Sequence, residues 1–108
     1  MSNMVLFENK PVRRTWNEKE QQWYFSVDDV VTLLTESVNV KDYIKKLRKR
    51  DTVLDSYWGT NCPLVEMIAA DGKLRKIRAA HAQALFRIIQ SVPSSKAEPT
   101  KLYLANVN

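Results

Sequence analysis

A chain of 108 residues fits one domain; with 44% hydrophobic residues, two glycines and four prolines it can build a core and is poorly suited to disorder. Seventeen Lys and Arg against twelve Asp and Glu leave a net charge of +5, a balance suited to phosphate-bearing partners. No stretch approaches the roughly 20 apolar residues of a membrane span, the start lacks the basic and apolar regions of a secretory signal, and a single cysteine excludes an internal disulfide, so a reducing, cytoplasmic setting is expected.

In chain order, Val5-Leu6-Phe7, the break at Asn9-Lys10-Pro11 and Val12-Arg13-Arg14-Thr15-Trp16 predict a strand, a tight turn and a second strand. After the polar turn Asn17-Glu18-Lys19-Glu20, Gln22-Trp23-Tyr24-Phe25 reads as a third strand, with Trp16 and Trp23 expected in the core. Ser26-Val27-Asp28-Asp29 is a helix start, because the Ser26 hydroxyl can accept from a free backbone N–H and the carboxylates complement the positive helix end. Val27, Val30, Val31 and Leu34 form its apolar stripe, and the helix should fade near Ser37. Asn39 can cap a second helix in which Val40, Tyr43, Ile44 and Leu47 share one face and Asp42 can pair with Lys46.

Residues 51–63 have no clean period and read as a loop, or as a short strand through Val53 and Leu54. That leaves Tyr57-Trp58 in an irregular segment, where burial as an anchor is favoured over stacking on a base. Two β-like runs, Leu64–Ala69 and Lys73–Arg78, flank Ala70-Asp71-Gly72, a strong hairpin signal. The segment His81–Ile89 predicts a third helix with Ala82, Leu85, Phe86 and Ile89 inward, stopped by Pro93-Ser94-Ser95. Ser95-Lys96-Ala97-Glu98 has the spacing of a capping box for a last helix that tolerates Pro99 in its first turn. The expected class is α+β: a small antiparallel sheet of hairpins with about four helices packed on it.

Catalytic constellations are not apparent. His81 is the only histidine, which rules out a multi-histidine metal site, and its position favours helix capping. Cys62 carries no nucleophile motif around it and reads as a small buried hydrophobe. The helix dipole explains Asp28 and Asp29, and there is no glycine-rich phosphate loop. The expectation is a non-enzyme with no cofactor and no metal.

The cations are concentrated. With Lys41, the runs Lys45-Lys46-Leu47-Arg48-Lys49-Arg50 and Lys73-Leu74-Arg75-Lys76-Ile77-Arg78 hold ten of the seventeen Lys and Arg residues. Helix electrostatics explains part of the first run, since Arg48, Lys49 and Arg50 occupy a last turn. The second run is harder to explain by surface chemistry alone: strand alternation turns Lys73 and Arg75 one way and Lys76 and Arg78 the other. A hairpin charged on both faces is expected to project, at least near its tip, as a two-stranded ribbon of a size that fits a DNA groove. The alternative is that one pair lays its stems over the core. The candidate nucleic-acid contacts are Lys41, Lys45, Arg48, Lys49, Lys73, Arg75, Lys76 and Arg78, with Arg75, Lys76 and Arg78 foremost.

Trp23-Tyr24-Phe25-Ser26-Val27-Asp28-Asp29-Val30, Tyr43 with Lys46-Leu47, Ala70-Asp71-Gly72-Lys73, Leu85-Phe86-Arg87-Ile88-Ile89-Gln90-Ser91, and Ser95-Lys96-Ala97-Glu98-Pro99 with Leu104-Ala105 together resemble the BRO family N-terminal domain. That module occurs in baculovirus repeated proteins and prophage antirepressors, including the branch related to DNA-damage-inducible protein D. The resemblance implies one α+β domain over residues 1–108, placed at the N-terminus of a longer protein, with DNA binding and no catalytic residues. Binding through phosphates implies DNA of low sequence specificity as partner. An antirepressor can instead act on a repressor protein, and a basic face also suits an acidic protein partner.

Overall fold

The computed structural model describes residues 4–7, 10–69 and 71–92. Among these residues five strands and four helices follow in the order β1 (Met4–Phe7), β2 (Lys10–Asn17), β3 (Gln22–Ser26), α1 (Val27–Thr35), α2 (Val40–Arg50), α3 (Thr52–Asn61), β4 (Leu64–Ile68), β5 (Leu74–His81) and α4 (Ala82–Gln90). The class is α+β, as expected. The segment from Pro93, with its predicted last helix, lies outside the described residues.

The strands form one antiparallel sheet in the order β1-β2-β3-β5-β4. Its two long strands each change partner halfway. β2 pairs with β1 from Lys10 to Arg13 and with β3 from Arg14 to Asn17. β5 pairs with β4 from Leu74 to Arg78 and with β3 from Ala79 to His81. Where β3 turns into α1 after Ser26, its neighbours therefore run on without it. The β4–β5 hairpin becomes a two-stranded ribbon, and a gap opens between that ribbon and β2.

Alternation along the strands sorts the two faces. Val12, Phe25 and Ala80 point into the main core with Val27, Val31 and Leu34 of α1, Ile44 and Leu47 of α2, Leu54 and Trp58 of α3, and Leu85, Ile88 and Ile89 of α4. The other face carries a smaller cluster of Tyr24, Met67 and Ala79, bordered by Val65 and Ile77. Trp23 packs half-buried against the main core, and Trp16 meets it edge-on with ring centroids 5.3 Å apart. Both indoles are rim residues and not interior ones.

The caps predicted at Ser26, Asn39 and His81 form. Ser26 Oγ accepts from the Asp29 N–H at 3.3 Å, and Asn39 Oδ1 accepts from the Asp42 N–H at 3.1 Å. Lys46 reaches Asp42 at 3.1 Å. His81 caps α4, its Nδ1 accepting from the Ala84 N–H at 3.2 Å.

Residues 51–63 correct the sequence reading: most of this segment is the helix α3 and not a loop or strand. Its first turn is opened by Asp51, whose carboxylate accepts from the Leu54 N–H at 2.9 Å while its own N–H closes α2 on the Leu47 carbonyl. Only Leu54 and Trp58, one turn apart, are buried. A helix anchored on a stripe that narrow, with Thr52, Val53 and Gly59 among its residues, carries almost no periodic signal. Tyr57 and Trp58 are thus helical, and Trp58, 1% exposed, is among the largest fully buried side chains.

Candidate nucleic-acid interface

The hairpin signal at Asp71-Gly72 is realised as a turn joining β4 to β5. The Ala69 N–H donates to the Lys73 carbonyl at 2.8 Å and the Gly72 N–H to the Ala69 carbonyl at 2.9 Å. Gly72 has φ +81, a left-handed value that suits glycine. From Leu74 to Arg78, β5 has a strand on one side only. Arg75, Lys76 and Arg78 are all exposed, although alternation turns Arg75 away from the other two.

The gap beside the ribbon is a cleft of about 380 Å³ lined by Arg13, Lys41, Arg75, Lys76 and Arg78, together with Asp28 and apolar stems. It brings the first residue of one basic cluster, Lys41, beside the second cluster. A neighbouring concavity of about 490 Å³ runs along α2 and is lined by Lys41, Lys45, Arg48 and Lys49, with Ile44 and Asp55. Lys41 lines both, so seven of the eight predicted cations fall on two adjoining concavities. Lys73 stands apart on the exposed hairpin turn.

Ion pairs divide the eight residues. Lys41, whose side chain is 86% exposed, meets Asp28 at 3.2 Å. Arg48 Nε donates to Asp55 at 2.6 Å, and its guanidinium lies 5.5 Å from the centre of the Trp58 ring. Arg75 grips Asp71 through Nε at 3.0 Å and through Nη2. That hydrogen bond is the main reason the Asp71 carboxyl is held below its ordinary pKa, assisted by the Lys73 backbone N–H. Arg78 donates from Nη1 to the Cys62 carbonyl at 2.9 Å, which fixes its stem and leaves its charge uncompensated. Among the described residues, Lys45, Lys49, Lys73 and Lys76 form no ion pair, and Lys76 stands opposite Glu66 in the β4–β5 register.

Arg13 holds the cleft together and was not marked by the sequence reading. Its Nε and Nη2 donate to the two carboxylate oxygens of Asp29 at 2.8 Å each, and its backbone N–H donates to the same carboxylate at 2.9 Å. Nη1 crosses the gap to the Ile68 carbonyl at 3.2 Å. One guanidinium thus ties β2, the start of α1 and the tip end of β4. The hydrogen bond to Asp29 is the main cause of its raised pKa, and the fork geometry suits arginine better than lysine. No sequence signal marks the pairing, since Asp29 already had a sufficient role at the helix start.

Cys62 is buried beneath the ribbon's base, and burial pushes its thiol up to about 11. A thiol so protonated is a poor nucleophile. Among the described residues no group of three or more His, Cys, Asp or Glu is placed to hold a metal ion. No helix among them is long and apolar enough to cross a membrane. Comparison with protein-family models, curated proteins and solved structures yields no match to this chain.

Proposed function

We propose that this domain is a DNA-binding module that engages the phosphate backbone with α2 and the β4–β5 ribbon. The observation that carries the reading is the adjacency of two basic concavities sharing Lys41, on whose rims Lys45, Lys49, Lys76 and Arg78 stand outside the ion pairs of the described residues. Lys73 extends the same charge to the ribbon tip. Lysine heads on flexible stems suit contacts to phosphates, which position a protein on a duplex without reading its bases. The resemblance of the sequence to BRO N-terminal domains points to the same activity, in a protein of the prophage antirepressor type. Acid–base or nucleophilic chemistry has no support at this surface.

Five cations outside those ion pairs imply a slope of log K against log salt of about −4.5 on duplex DNA, at roughly −0.9 per neutralised phosphate. A titration of the chain against a labelled duplex over a range of salt measures it. Affinity that does not respond to salt would remove the proposal.

A further inference from the structure

We infer that the tip of the β4–β5 ribbon is an apolar wedge that inserts between base pairs and kinks the DNA. The inference rests on the DNA-binding reading above and specifies how the ribbon would be used.

The starting observation is a misplaced pair of large hydrophobes. Ile68 and Leu74 face each other across the last rung before the turn and are 51% and 64% exposed. Single exposed hydrophobes are ordinary on protein surfaces. A cross-strand Ile–Leu pair is different, because such pairs normally stabilise a sheet by meeting a covered face. Here the face continues as Glu66 opposite Lys76 and Leu64 opposite Arg78, all exposed. The tip therefore combines an uncovered apolar end with the cation Lys73 in the turn, and Lys76 follows two residues along the same face.

Charge selects the occupant. A partner must supply negative charge around an apolar slot, and a base step flanked by phosphates does so. Proteins that kink DNA use the same combination, basic residues on the backbone and a Leu, Ile, Met, Phe or Pro between bases. The ribbon is also held for such a task. Arg13 donates to the carbonyl of Ile68 itself while anchored on Asp29, so the wedge is braced against α1 at the point where a kink would push back.

The test uses the whole chain with an end-labelled duplex of about 30 base pairs holding a central TA step beside 2-aminopurine, a fluorophore that brightens when unstacked. At about 50 mM salt, the native chain should shorten the end-to-end distance by an amount matching a bend within roughly 20–90°, and should brighten the probe. Leu74→Ser and Ile68→Ser should bind about tenfold more weakly with an unchanged salt slope, and should lose both signals. Both sites are exposed, so their thermal midpoints should stay near that of the native chain. Leu64→Ser, at the far end of the ribbon, should keep both signals. Replacing the TA step by a stiff A-tract should weaken the native chain and leave Leu74→Ser unaffected.

Salt-dependent binding with no bend and no brightening would overturn the wedge and leave the phosphate-binding reading intact. Retention of both signals by Leu74→Ser would also overturn it. So would a chain that self-associates through the tip, with Leu74→Ser monomeric and its bending unchanged. Absence of salt-dependent binding would remove both proposals.

Discussion

Replacing Lys45, Lys49 and Lys76 together by alanine removes three of the five candidate cations that form no ion pair among the described residues. At roughly −0.9 per phosphate, the salt slope should change from about −4.5 to about −1.8. Between 50 and 200 mM salt, a fourfold change, the native chain should lose about 500-fold in affinity and the triple variant about 12-fold. Lys41→Ala and Arg48→Ala are the controls. Each removes a cation already facing a carboxylate, Asp28 at 3.2 Å or Asp55 at 2.6 Å, so the slope should stay near the native value. Fluorescence anisotropy over a salt series reads all four proteins, with circular dichroism to confirm equal folding. If Lys41→Ala or Arg48→Ala flattened the slope by about 0.9, the amount expected per available cation, the division into offset and available cations would be wrong. A triple variant with native slope would refute the interface itself.

Trp58→Ala should cost about 3–5 kcal/mol, because the ring is buried between α3 and the core and its loss leaves a large cavity; urea unfolding reads this directly. Asp51→Ala should cost about 1 kcal/mol and loosen the start of α3, seen as faster amide exchange at Leu54, with Asp51→Asn restoring most of the loss. The Glu20 carboxyl is held below its ordinary 4.5 chiefly by the Tyr24 hydroxyl, which donates to it at 2.6 Å, and then by Gln22. Because the folded value is depressed, this contribution to stability is present above the ordinary value and is lost as pH falls through the folded one. Tyr24→Phe should move Glu20 up toward 4.5 in an NMR titration, and an unmoved Glu20 would refute the assignment.

The elements most legible in the sequence were those whose signals are local. Ser26 and Asn39 fit their caps because capping is decided within three residues. Asp71-Gly72 fits its turn because the left-handed backbone there suits glycine. His81 reads as a cap and Cys62 as a buried hydrophobe on position and residue type alone. The helix α3 was illegible because its burial is confined to Leu54 and Trp58, and a pair of residues cannot establish a period. Trp16 and Trp23 were assigned to the core on aromaticity, yet they lie near the free end of the β2–β3 hairpin and settle at the rim.

The candidate surface divides in the same way. The sequence by itself determined which residues carry the charge and that one basic cluster is a helix face and the other a hairpin. Tertiary structure alone decided that Lys41 adjoins the hairpin, since this depends on β3 ending at Ser26 while β2 and β5 run past it. It also decided which cations are offset. Lys46 with Asp42 and Arg75 with Asp71 are neighbours in sequence, but Arg48 with Asp55, Lys41 with Asp28 and Arg13 with Asp29 are joined only by the packing of separate elements. Charge belongs to the residue, whereas its availability depends on distance to other charges, and folding fixes that distance.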